Sequence, residues 1–213
     1  KLPGFVSLCV SVNQGRGNAI LGPGYECLWG QERLRDTLCG NTFLLSPLSF
    51  FQINSVQAEI LYFKALALAA PEKHHRVIDL YCGAGTISSL FSRHAHAVPQ
   101  AVEDARDNAA LNNLTNLSFR AGLAEVLLPQ VLGEDYKPDI LLLDPPRKGA
   151  ERAVLDAIVA SAPPKVVYIS CHPASQARDA RVLVDGGYRV TACAPVDMFC
   201  QTPDVENILL FER

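Results

Sequence analysis

From residue 76 to the end of the chain, segments that are apolar throughout alternate with segments of mixed character. The runs RVIDLY (76–81), AVPQAVE (97–103), DILLLD (139–144) and KVVYIS (165–170) lack the in-and-out alternation of a half-exposed strand, so each predicts a strand covered on both faces. Between them the pattern predicts helices beginning at Thr86, Asp104, Glu151 and Ala174, with a short extra strand around LSFRA (117–121). Strands separated by helices predict a parallel, doubly wound α/β sheet. YRVTACAPVD (188–197) and VENILLFE (205–212) follow one another with no helix between, which predicts a closing antiparallel hairpin. Upstream, SVQAEILYFKALALAA (55–70) places Val56, Ile60, Phe63 and Leu66 or Leu68 near helical spacing, with Ser55 as a cap and Pro71 as a stop, and predicts a helix.

Before residue 46 the texture differs. SLCVSVN, NAILG and ECLWG are short apolar pieces punctuated by Gly, Pro and Asn, so residues 1–45 read as a small β-rich region of hairpins ahead of an α/β domain over 46–213. With 213 residues and 49% hydrophobic content the chain can bury one sizeable core. Nineteen Lys and Arg against 22 Asp and Glu, a net charge of -3, exclude a chain that grips a phosphate backbone by charge alone; a nucleic-acid role needs a local basic patch or another domain. The seven cysteines are odd in number and form no CxxC pair, which points to reduced thiols in the cytoplasm rather than to a disulfide framework or a metal site. No run is long and apolar enough for a membrane span, no signal-peptide pattern is present, and the first residue is Lys1, as in a fragment or processed chain.

Ligands of a doubly wound sheet bind beyond the carboxyl ends of its strands, so the residues that end each strand are the candidates for chemistry. The first strand runs into DLYCGAGT (79–86), where Gly83 and Gly85 allow a tight turn but the third glycine of the dinucleotide fingerprint is missing. Glu103 ends the second, about eighteen residues past that loop, where an acid takes the ribose hydroxyls of an adenosine cofactor. A turn and a solvated acid would leave the same two marks. Asp144 follows four apolar residues and precedes Pro145 and Pro146, which fix a rigid exit from the sheet; the next helix starts too far on for Asp144 to cap it. Cys171 ends the next strand at the same edge, either as an inert small hydrophobe or as a nucleophile facing a pocket.

FLLSPLSFFQINSVQAEILY, LYCGAGT, DPPRKG, SCHPASQARD and VDMFCQTPDVE, in this order over about 170 residues, resemble the RNA uracil-5 methyltransferase family. The resemblance implies a Rossmann-like class I methyltransferase fold: a mostly parallel seven-stranded sheet with an antiparallel last strand, preceded by a remnant of the family's central domain over 1–45. It implies S-adenosyl-L-methionine as cofactor and carbon 5 of a tRNA or rRNA uridine as acceptor, the base flipped or single-stranded. Gln52, Tyr81, Gly83, Gly85, Glu103 and Asp144 fall on the cofactor positions, Cys171 on the nucleophile that adds at carbon 6, and Glu206 on the base that removes the carbon 5 hydrogen. The family's upstream RNA-recruiting β-barrel has no counterpart here, and the chain is expected to be a monomer.

The chain departs from the family's pattern at Thr86 and His172, where Asn is usual, at Cys200 in place of proline and at Asp204 in place of histidine. None removes a catalytic group. His172 can still donate to a uracil oxygen, and Asp204 beside Glu206 is expected to raise the latter's proton affinity. Cys9, Cys27, Cys39, Cys82 and Cys193 read as packing residues, Trp29 and Phe50–Phe51 as core or interface aromatics, and His74, His75, His94 and His96 as surface residues without ligand partners. Arg147 and Lys148 form the basic point near the pocket, suited to a phosphate. Two rival functions remain: a methyltransferase acting on an exocyclic amine, which needs neither Cys171 nor Glu206, and a cofactor-binding remnant without activity.

Overall fold

The computed structural model describes residues 4–15, 21–99, 103–134 and 136–213; part of the expected NAILG and AVPQAVE pieces lies outside them. Strands β1 (Ser7–Val10) and β2 (Glu26–Gly30) pair antiparallel, and β3 (Leu34–Leu38) and β4 (Asn41–Leu45) form a hairpin that turns on Cys39 and Gly40, both at positive φ. Helix α1 (Ser55–Ala69) leads into the alternation β5 (Arg76–Leu80), α2 (Thr86–Phe91), β6 (His96–Pro99), α3 (Glu103–Leu111), α4 (Ala124–Gly133), β7 (Ile140–Leu143), α5 (Arg152–Ser161), β8 (Lys165–Ser170), α6 (Pro173–Asp185), β9 (Arg189–Val196) and β10 (Glu206–Glu212). No helix among the described residues is long and apolar enough to cross a membrane.

The main sheet has the order β6-β5-β7-β8-β10-β9, with β5, β6, β7 and β8 parallel. The closing hairpin is antiparallel as expected, and β10 inserts between β8 and β9, antiparallel to both. Both faces of the sheet are covered. Along β7, Ile140 and Leu142 join the core beneath α1 and α2, while Leu141 and Leu143 join the core beneath α4, α5 and α6. That two-sided burial is why these strands read as continuous apolar runs.

Four expectations need correction. The described sheet has six strands, not seven: in the LSFRA stretch Leu117 and Arg120 make only isolated bridges. Helix α4 was not expected, because Pro129 interrupts its pattern and removes a backbone donor; Leu128 and Val131 are nonetheless buried on either side of it. Helix α1 exists but is capped by Asn54, whose Oδ1 accepts from Gln57 N–H, rather than by Ser55. Its buried face is Ala58, Leu61, Tyr62, Ala65 and Ala69, whereas Val56, Ile60 and Phe63 of the anticipated stripe are exposed. Larger side chains suggested the wrong face because small residues allow the helix to approach the sheet closely.

The hairpin β3–β4 is attached to the α/β domain by an unusual edge pairing. Thr42 N–H donates to Asn112 Oδ1 (2.8 Å), Leu44 N–H to Asn108 Oδ1 (2.7 Å) and Ser46 N–H to Asp104 Oδ2 (3.4 Å). Two residues of strand advance about 6.7 Å and four residues of helix about 6 Å, so polar residues every fourth position along α3 and its end meet alternate amides of β4. Phe43 points the other way into the core.

Candidate active site

The carboxyl end of β5 turns sharply: Tyr81, Gly83 and Gly85 all have positive φ, at 70°, 54° and 82°. For Tyr81 this is a strained conformation that an L-residue adopts at a cost, of the kind that collects at functional sites. A Cβ on Gly85 would stand 3.1 Å from the Cβ of Ala105, so glycine lets α3 pack against the loop. A Cβ on Gly83 would meet nothing within 4 Å. That open backbone borders a pocket lined also by Ser46, Ser49, Phe50, Ala84 and Asp104. Asn108 Nδ2 fixes the loop from behind by donating to Ala84 O (3.1 Å). Beneath it Asp79 is buried; Ser88 Oγ donates to Oδ2, and Oδ1 has no partner among the described residues. Burial raises its carboxyl to about 7, opposed by Ser88.

Gln52 is buried, at 7% exposure, between Phe51, which packs on Phe43, and Asn54, whose Nδ2 donates to Met198 O (3.1 Å). Phe51 is thus a core aromatic as expected, but Phe50 is 71% exposed at the pocket rim and Trp29 is half exposed, stacked on Phe5. Glu103 opens α3 rather than ending β6, which stops at Pro99.

At the neighbouring strand ends, β8 and β10 bring the two proposed reacting groups together. Ser170 pairs with Asn207, so Cys171 and Glu206, one step further on each strand, lie across from one another. This register is locked by a buried amide pair: Gln176 Nε2 donates to Tyr168 O (2.8 Å) and Asn207 O (3.1 Å), and Asn207 Nδ2 donates to Gln176 Oε1 (2.7 Å). Helix α6 starts immediately after Cys171 because Pro173 fits its first turn and His172 caps it, His172 Nδ1 accepting from Ser175 N–H (3.2 Å). The exit from β7 is held to the same helix. Asp179 accepts from Tyr168 Oη (2.7 Å) and Ala150 N–H (2.8 Å), and Ser175 Oγ donates to Arg147 O (2.9 Å).

Burial pushes Glu206 up to about 7, opposed by the Arg147 guanidinium. The cause is therefore not Asp204, whose carboxylate is turned to Arg147 Nη2 at 2.7 Å. Asp144, at the mouth of β7, is raised to about 8 by burial and by the charges of Glu206 and Asp79. Cys171 is partly exposed; burial and Glu206 raise its thiol while a hydrogen bond from Arg147 lowers it. Among the remaining thiols Cys39 and Cys82 are buried as packing residues, whereas Cys193 and Cys200 are exposed and Cys9 and Cys27 lie in between. Lys148 pairs with Glu151 on the protein itself. Away from the site, Glu72, His74 and His75 cluster with potential ligand atoms within 4.8 Å of one another, a grouping the sequence did not suggest.

The residues that sequence reasoning missed are mostly supports: Asp79, Asp104, Asn108, Gln176, Asn207 and Asp179. The regular D-x-x-x-N-x-x-x-N spacing over 104–112 was the one legible signal among them.

A family model described as tRNA (uracil-5-)-methyltransferase matches residues 42–213. An uncharacterized RNA methyltransferase of Oceanobacillus iheyensis is 42% identical over 214 residues, covering 98% of this chain and 47% of the relative. One from Bacillus cereus is 42% identical over 219 residues, covering 100% of this chain and 48% of its own. The chain spans about half the length of these curated relatives. Among solved structures, the Pyrococcus abyssi tRNA (uracil-54, C5)-methyltransferase in complex with S-adenosyl-L-homocysteine matches with a TM-score of 0.78 at 29% identity, covering 97% of this chain and 51% of that one. The α/β fold is therefore that of S-adenosylmethionine-dependent methyltransferases.

Proposed function

The chain belongs to the tRNA (uracil-5-)-methyltransferase family, and from that premise we propose that residues 46–213 are the catalytic domain of an S-adenosyl-L-methionine-dependent enzyme that methylates carbon 5 of a uridine in RNA. Residues 1–45 would belong to a central domain. The observation that carries the reading is the register that sets Cys171 opposite Glu206 beside Asp144.

The glycine loop suits the cofactor. Its backbone is open at Gly83, and an oxygen of the Asp79 carboxyl just before the loop has no partner among the described residues. Gln52, Tyr81, Gly83, Gly85, Glu103 and Asp144 would hold the cofactor, which when bound supplies an electrophilic methyl group. Cys171 makes carbon 5 reactive: its thiolate adds at carbon 6 of the uracil and the electron pair of the 5,6 double bond becomes an enolate with density on carbon 5. Once carbon 5 carries the methyl group, the Glu206 carboxylate takes the remaining hydrogen from it, the double bond re-forms and the thiolate leaves. A base whose proton affinity sits near neutrality both accepts that proton and gives it up to solvent for the next cycle.

The test uses RNA carrying 5-fluorouridine, with the chain joined to the upstream region of a full-length relative where RNA binding demands it. Fluorine cannot leave as a proton, so elimination stalls and a covalent protein–RNA adduct accumulates on denaturing gels. Cys171→Ala forms none, and Glu206→Gln traps an adduct on ordinary uridine. An adduct formed equally well by Cys171→Ala would refute the assignment.

A further inference from the structure

We propose that Arg147 is a further catalytic residue that stabilises the thiolate of Cys171, and that Asp204 is a positioning residue that holds Arg147 in place to do so. The inference rests on the reading of Cys171 as nucleophile. Cys171 stands among groups that oppose its ionisation: Glu206 faces it from β10 and Asp144 from the exit of β7. The adjacent imidazole of His172 is engaged through Nδ1 in capping α6. The cation at this end of the sheet is the Arg147 guanidinium, anchored to Asp204 on the loop that leads to Glu206, and its charge favours the thiolate of Cys171 and also reaches Glu206. Lys148, next in the chain, is turned to Glu151 instead.

Arg147 is held from both ends. Its carbonyl accepts from Ser175 Oγ (2.9 Å) in the first turn of α6, four residues after Cys171, so its backbone moves with the thiol. Its Nη2 donates to Asp204 Oδ1 (2.7 Å), two residues before Glu206 on the loop entering β10. Asp204 N–H in turn donates to Thr202 Oγ1 (3.2 Å). The two side chains are 62% and 45% exposed, so as an isolated surface pair they would add little to stability. Their value lies in geometry. A long side chain that water would otherwise release is kept beside the sulfur, and water screens the direct effect of Asp204 on the thiol, so its influence passes through Arg147.

The probe is iodoacetamide, which reacts with thiolates and needs neither cofactor nor RNA. The rate of carbamidomethylation at Cys171 in the full chain is followed by peptide mapping from pH 6 to 10, with far-ultraviolet circular dichroism and urea midpoints as folding controls. Loss of the guanidinium in Arg147→Met should move the pH midpoint upward by about one unit and slow alkylation about tenfold near neutrality; Arg147→Lys should recover part of the rate. Asp204→Ala should slow alkylation about threefold in the native background and not at all in the Arg147→Met background. An unchanged pH profile in Arg147→Met would overturn the role of Arg147, and an equal effect of Asp204→Ala in both backgrounds would overturn the positioning. Weakened RNA binding with unaltered alkylation would assign Arg147 to a phosphate instead. If the native chain forms no adduct with 5-fluorouridine RNA, the methyltransferase mechanism fails whatever the alkylation rates show.

Discussion

Replacing Glu206 by Gln should make the protein more stable than the native chain above neutral pH, although it removes the proposed base. The carboxyl is 4% exposed and its proton affinity rises from an ordinary 4.5 to about 7 on folding. Below pH 4.5 it is protonated in both folded and unfolded chains and costs nothing. As pH climbs through the interval the unfolded chain ionises first, so native stability falls, and above about 7 the loss is complete. Each tenfold change in proton affinity is worth about 1.4 kcal/mol, which puts the ceiling at about 3.5 kcal/mol. Relaxation of the protein around the buried carboxylate reduces this to about 2 kcal/mol between pH 5 and 8. The neutral amide escapes this loss, and it also relieves Asp144, which Glu206 pushes upward. Urea denaturation of both proteins at pH 5, 6, 7 and 8 measures the gap between them. It should widen by about 2 kcal/mol in favour of Glu206→Gln as pH rises. A gap constant to within about 0.5 kcal/mol would show that Glu206 titrates as an ordinary carboxylate.

Asn108→Leu should lower stability by about 2–4 kcal/mol in urea titrations, because it orphans both Leu44 N–H and Ala84 O in a buried setting; a loss under 0.5 kcal/mol would mean that water replaces the ladder. Gly85→Ala should cost about 1–2 kcal/mol for the left-handed conformation alone, read as a lower thermal midpoint, with more if α3 cannot yield at Ala105. Glu103→Ala should weaken S-adenosyl-L-methionine binding by about 1–3 kcal/mol in calorimetry, and unchanged affinity would remove Glu103 from the cofactor site.

The central alternation was legible because β5, β7 and β8 are buried on both faces and their apolar runs have no competing interpretation. Cys171 and Asp144 stood out for the same reason, since each bounds such a run, whereas Glu206 was marked only by the resemblance of VDMFCQTPDVE to the family's motif. Residues whose role is set by a distant partner were not legible. Gln176 and Asn207 are 31 positions apart and look like ordinary polar residues until β10 is placed beside β8. Helix α1 shows a different limit, since its contact face was decided by how closely Ala58 and Ala65 let it approach, not by where its large side chains recur. Asp204 was expected to act on Glu206 as a neighbour in sequence; the loop instead directs it toward Arg147.

The insertion of β10 between β8 and β9 has a consequence for the order of events during synthesis. The segment that carries Glu206 emerges after every other strand, yet it occupies an interior place in the sheet. Until it arrives, β8 and β9 have no hydrogen-bonded link, the Gln176 amide lacks Asn207, and Cys171 has no partner across from it. A nascent chain on the ribosome therefore holds the glycine loop and the Cys171 thiol but not the proposed Cys171–Glu206 pair, and a chain truncated anywhere before residue 206 has a sheet with an unfilled slot, prone to pair with another chain. Assembly of the proposed pair waits for β10.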